Sequence, residues 1–349
     1  MPKTILSGSH QHRLRSLAVL MGTTVSVLAR RAINKPLVHE WSALFEMGTL
    51  FWRHQFNHAF SLGDIEAARA YLDSCYSVLD PVLSVDSHRV ETPKGEWFIP
   101  RSKAADVTML YFHGGGYTFY LATTRHFIAL LSQTLGIRIF APDYRLTPEH
   151  PHPAQLEDGL AAYKYLLAQG YDPGRLVVAG DSAGGHLALM SLVKLREERL
   201  PQPALVIGLS AWTDIGRRGE SQFGNDRYDM VQGYQTLQFG TWLKGDAGVT
   251  DAALSPIHQD YRGLAPIYLQ AGGKEILVDM TRDFARTLEG QGARVRLDVW
   301  EHMTHEFHAY GDHLPESREA LEGVRNCIRW VRQSEAGFPT TPRTEVDSL

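Results

Sequence analysis

Six short apolar runs, VTMLYF, IRIFAP, LVVAG, ALVIGLS, IYLQAG and VRLDVW, are spread over residues 107–300. Each has strand length and β-branched content. Most are followed by a segment of helical pattern, such as TTRHFIALLSQTL or AQLEDGLAAYKYLLAQ. This alternation specifies an α/β chain with a mostly parallel central sheet and helices on both faces. In an open sheet of that kind ligands sit beyond the carboxyl ends of the strands, so the loops after these runs are where chemistry is expected.

The third run enters LVVAGDSAGGHLALMSLVKL, where Leu176 to Ala179 meet Gly180-Asp181-Ser182-Ala183-Gly184 and a helical pattern begins at once. G-x-S-x-G between a strand and a helix is the setting of a nucleophile elbow. The flanking glycines relieve crowding in the sharp turn, which leaves the Ser182 hydroxyl free to stand at the sheet's edge. Serine is a weak nucleophile at neutral pH, so a base must take its proton and another group must hold the base. A plain Gly-Ser turn that opens a helix is the bland alternative, and strand, spacing and helix together argue against it.

If the elbow belongs to an α/β-hydrolase, an acid and then a base follow it along the chain. Beyond the last run, DVWEHMTHEFHAY offers His302, His305 and His308, and spacing alone does not choose among them. The run IYLQAGG is followed by Glu275 and Asp279. Asp279 opens a helical segment where an N-cap role accounts for it, whereas Glu275 lies in the loop and is the better orienting carboxylate.

Upstream, VTML leads into YFHGGGYTFY. Glycines let backbone N–H groups come close to a negative charge. A carbonyl attacked by Ser182 becomes an oxyanion, and the amides of Gly114, Gly115 and Ala183 are expected to receive it. One such donor lowers the barrier by about 3 kcal/mol. His113 reads as a hydrogen-bonding prop for this loop.

From about Asp106 to about Trp330 the chain resembles the hormone-sensitive lipase family of α/β-hydrolase esterases. HGGGY resembles the family's oxyanion loop, DYRLTPEHPHPAQLED a further shared segment, and GDSAGG the elbow. LSAWTD, SPIHQDYRGLAPIYLQAGGKEILVD and VWEHMTHEFH resemble later blocks in the same order. The resemblance places the acid on Glu275 of EIL and the base on His305 of M-x-H. It implies a cofactor-independent serine carboxylesterase whose acyl-enzyme is released by water. The same acyl-enzyme could serve lactonisation or acyl transfer. A non-catalytic receptor, as in the related gibberellin receptors, is disfavoured because those lack the catalytic histidine and this chain keeps Ser182, Glu275 and His305. Glu306, directly after the base, departs from the Gly or Val common in relatives and puts a carboxyl beside the imidazole.

Residues 1–85 match the family least and are helical in pattern, so they are expected to form a cap over a catalytic domain of residues 86–335, with 336–349 a loose tail. Trp41, Phe45, Phe51, Trp52 and Phe56 fall near one helix face, which reads first as core packing and second as a pocket wall. A cap wall implies short or medium acyl groups with the alcohol left free, and implies that deleting the first 35 residues harms activity more than stability. Residues 1–39 contain no acid, and cations flank the apolar run Leu17 to Ala29, which is too short and too rich in Ser and Thr to span a membrane. A targeting or membrane-surface role is the alternative to a cap helix there. The net charge of −4 offers no basic face for nucleic acid, and two cysteines without a C-x-x-C pair argue against a disulfide framework or a cysteine metal site. No cofactor or metal is expected. The partner is a small-molecule ester, the location cytoplasmic, and a homodimer stays open.

Overall fold

All six apolar runs form strands. The computed structural model describes residues 3–4, 9–75, 78–79, 83–102, 104–246, 248–333 and 337–338. β1 (Lys3–Thr4) and β2 (Val78–Leu79) pair as a small separate ladder. The main sheet contains β3 (Val85–Glu91), β4 (Lys94–Pro100), β5 (Thr108–Phe112), β6 (Arg138–Pro142), β7 (Leu176–Asp181), β8 (Leu205–Leu209), β9 (Ile267–Gly272) and β10 (Val295–Trp300). Its spatial order is β10-β9-β8-β7-β5-β6-β4-β3. β4 runs antiparallel to both β3 and β6, and the other neighbours are parallel.

Helices α1 (His10–Ala32), α2 (Ala43–Ser61) and α3 (Ile65–Ser74) precede the main sheet. α4 (Ala122–Leu135), α5 (Ala154–Ala168) and α6 (Ser182–Glu197) connect its strands. α7 (Ser221–Gly224), α8 (Gly233–Lys244) and α9 (Asp251–Leu254) lie between β8 and β9, followed by α10 (Val278–Gly290) and α11 (Pro315–Gln333). Every residue of β5, β7, β8 and β9 is buried, as strands covered on both faces require. Side chains alternate across them: Leu110 and Phe112 pack with Leu160 of α5 and Leu187 of α6, while Met109 and Tyr111 pack with Phe127 of α4 and Leu321 of α11. No helix among the described residues is long and apolar enough to cross a membrane.

β3 escaped the reading because it is an edge strand with mostly exposed polar residues, so it lacks the apolar alternation of a half-buried strand. Of the residues read as a tail, Gly337 and Phe338 are described: Trp330 Nε1 donates to the Gly337 carbonyl and Phe338 is buried against the Trp330 ring. Residues 339–349 lie outside the described residues.

Candidate active site

The turn from β7 into α6 is as tight as its glycines suggest. A Cβ on Gly184 would fall on the carbonyl oxygen of Phe112, and one on Gly180 on the backbone of Gly184, so the elbow closes only without side chains there. Ser182 takes φ +51, a left-handed conformation costly for a non-glycine residue and typical of functional turns. Half-buried, it lines a cavity of about 40 Å³ together with His305, Gly115, Gly116 and Glu306; Phe56, Trp212, Phe239 and Leu277 supply apolar wall. A larger hollow of about 620 Å³ lies nearby, lined by Phe60, Phe119, Tyr234 and Trp242.

Of the three candidate histidines only His305 lines the cavity. His302 is exposed beside Glu40, and His308 is buried against Phe307. Nδ1 of His305 lies 4.0 Å from Oε2 of Glu275. Glu275 is fully buried and accepts from Ser210 Oγ at 2.7 Å and from the Gly272 amide at 3.1 Å. The acid and base loops are stitched together, Gly273 N donating to Trp300 O and Lys274 N to Met303 O, each at 2.8 Å. Burial pushes the Glu275 carboxyl up to about 8 and the His305 imidazole down to about 3. Both shifts express the cost of charge in a dry site. Asp279 stands apart, accepting the Ser221 amide at 2.9 Å; Leu277 occupies the helix N-cap expected for it.

Asp229 was not legible in the sequence. Fully buried, it accepts the amides of Met230, Ile276 and His305 at 2.8, 2.7 and 3.1 Å, and so holds the residue after the acid and the base itself on one carboxylate. Burial pushes it up to about 7. Ser210, at φ +47, also accepts the Glu306 amide at 3.3 Å. Its LSAW block was visible in the sequence, but no role followed from it.

The three glycines of the loop stand in different surroundings. The Gly114 amide hydrogen-bonds the Asp181 carboxylate, and a Cβ on Gly114 would collide with that carboxylate and with Oε1 of Glu306. Gly115 and Gly116, at φ +96 and +62, line the cavity instead, and Ala183 follows Ser182 in the first turn of α6. His113 is a prop, as read. It is stacked between Tyr120 and Tyr144 at 3.9 and 4.1 Å, and burial holds its imidazole down at about 3.

Asp181 and Glu306 form a second acidic pair. Their carboxyl groups hydrogen-bond each other, Tyr111 donates to Asp181 at 2.6 Å, and Glu306 Oε1 lies 3.6 Å from His305 Nε2. Desolvation and the adjoining Asp181 charge push the Glu306 carboxyl well above the usual range. Two carboxyls that share a hydrogen bond hold one proton between them.

A family model described as alpha/beta hydrolase fold matches residues 109–309. An acetyl-hydrolase of Streptomyces hygroscopicus is 36% identical over 238 residues, covering 67% of this chain and 79% of that protein. An ethyl acetate hydrolase of Pseudomonas putida is 32% identical over 235 residues, 64% of this chain and 73% of that one. Among solved structures, an esterase from the bacterial hormone-sensitive lipase family superposes with a TM-score of 0.72 at 31% identity, over 80% of this chain and 96% of its own.

Proposed function

Because the chain belongs to the α/β-hydrolase family, among its hormone-sensitive lipase esterases, and is a serine ester hydrolase, we propose that Ser182, His305 and Glu275 carry the reaction. Ser182 Oγ attacks the ester carbonyl while His305 Nε2 takes its proton. Glu275 orients the ring through Nδ1 and stabilises the imidazolium that forms. The amides of Gly115, Gly116 and Ala183 receive the oxyanion, since these residues stand at the cavity and the first turn of α6 while the Gly114 amide is engaged by Asp181. The imidazolium protonates the leaving alcohol, the acyl group stays on Ser182, and water activated by the same imidazole releases the acid. The 4.0 Å spacing between Glu275 and His305 is loose, as substrate-free sites often are.

The observation that carries the reading is the convergence of Ser182 and His305 on one small apolar cavity with Glu275 behind the imidazole. The size of the cavity bears on the substrate. About 40 Å³ is room for a few water molecules, which suits an acetyl or similarly short acyl group. The names of the relatives, acetyl-hydrolase and ethyl acetate hydrolase, lean the same way. The cap contributes through Phe56 of α2, which lines the cavity. The test is kcat/KM across p-nitrophenyl esters from acetate to decanoate, with Ser182→Ala as control. A maximum at the shortest chains, abolished in the control, is expected. A maximum at decanoate would remove the size argument, and wild-type turnover in Ser182→Ala would remove the mechanism.

A further inference from the structure

Helix α1 is packed inside out. It rests on α2 and α3 through small and polar side chains: Ser16 and Thr23 are buried beside Val27, with Gln55 donating to Ser16 Oγ at 3.2 Å. Its large apolar residues face outward. Leu14, Met21 and Val25 are 66–68% exposed, and Leu17 and Leu28 are 45% and 53% exposed. The spacing 14, 17, 21, 25, 28 follows a single stripe along a helix of 23 residues, about 35 Å long. No described residue covers it, and a contiguous exposed apolar stripe of this length marks an interaction surface.

Charge narrows what it meets. Residues 1–39 carry six of the chain's 35 cations and none of its 39 acids, which leaves 29 cations against 39 acids in residues 40–349. Arg30 and Arg31 are drawn inward to Glu46. Arg13 remains exposed on one flank of the leucine stripe, and Arg15, at 100° per residue on the other flank, reaches back to the Tyr71 hydroxyl. An apolar helix face bordered by cations on an otherwise acidic body matches the headgroup boundary of an anionic bilayer. A second copy fits poorly, because α1 stacked on α1 would bring the cationic flanks together and the acidic bodies close.

We propose that α1 is a membrane-surface helix. It lies flat on an anionic lipid surface with Leu14, Leu17, Met21, Val25 and Leu28 in the headgroup boundary, and holds the esterase there without spanning the bilayer. The two halves of the helix have different jobs: the Ser16/Thr23 face and Arg30/Arg31 fasten it to α2 and α3, and the leucine face takes the lipid.

The full-length protein is mixed with vesicles of phosphatidylcholine alone and of phosphatidylcholine with phosphatidylglycerol, at low and high salt, and the bound fraction is read by sedimentation. Binding to the anionic vesicles is expected, weakened severalfold by high salt. The double substitution Leu17→Asp, Met21→Asp should weaken it about tenfold or more, and Arg13→Gln by about fivefold. Hydrolysis of p-nitrophenyl acetate, a water-soluble ester, should stay within about twofold in both variants, since neither touches the cavity. Failure to bind anionic vesicles, or binding indifferent to the two aspartates, overturns the proposal. So does a wild-type dimer that Leu17→Asp, Met21→Asp converts to a monomer, which would give the stripe to a second copy.

Discussion

Ser210 Oγ donates to Oε2 of Glu275 at 2.7 Å, and the same oxygen accepts the amide of Glu306. One hydroxyl therefore props the proposed acid from one side and the residue after the proposed base from the other. The bond to Ser210 favours the ionised form of Glu275, against burial that pushes it up to about 8. Ser210→Ala should raise that value further. The acidic limb of the kcat/KM profile is then expected to move up by about one pH unit, the size of a lost hydrogen bond to a charged group. An unmoved limb would show that Ser210 only packs.

Glu275→Gln is expected to lower kcat about a hundredfold or more with little change in KM, because an orienting carboxylate acts on the imidazolium of the transition state. Asp279→Asn should stay within about threefold, since an amide oxygen can still accept the Ser221 amide. Steady-state kinetics of the two variants side by side decide this, and the opposite ranking would reassign the acid.

The Asp181–Glu306 pair makes a stability prediction with a definite sign. Desolvation and the neighbouring carboxylates Asp181, Asp229 and Glu275 raise Glu306, and desolvation also raises Glu275 to about 8 and Asp229 to about 7. The folded state thus binds protons more tightly than the unfolded chain, whose carboxyls titrate near about 4. Their stabilisation is complete below that pH and is lost as pH rises through the folded values. Tm should fall from about pH 4 to about pH 8 and level off above it, and Glu306→Gln, which has no proton to lose, should fall less steeply. Parallel Tm curves for the two proteins would mean that the pair does not hold the proton.

Deletion of residues 1–35 is expected to act mainly on stability, because the described residues of this segment do not wall the cavity. Among the described residues, the cap contributes Phe56 of α2 to the cavity wall and nothing from α1. Arg30 and Arg31 pair at 2.8 and 2.9 Å with Glu46, whose side chain is fully buried. Deleting the segment removes both ion pairs and uncovers the α2 and α3 surface that buries Ser16, Thr23 and Val27. A lower Tm with an unchanged acyl-chain profile in the surviving folded enzyme is the expected result, read by calorimetry and the p-nitrophenyl series. A shifted profile at unchanged Tm would restore the wall.

The sheet and the elbow were legible in the sequence because both are local. Strand-length apolar runs and the glycines around Ser182 act over a few neighbouring residues, so period and spacing report them directly. The aromatic run of α2 was only half legible. Phe56 lines the cavity, but Trp41, which lies before α2 and not on it, and Phe45 pack with Trp300, Met303 and Phe307 under the base loop, and helical spacing cannot tell which remote surface a side chain will meet. Tertiary structure alone decided the rest. It set Asp229 on His305, 76 residues away, and Ser210 on Glu275, 65 residues away. It turned the Gly114 amide to Asp181, and it turned the polar face of α1 inward. In each case the deciding quantity is which groups lose water together when distant segments meet. That depends on the meeting, so no pattern within either segment carries it.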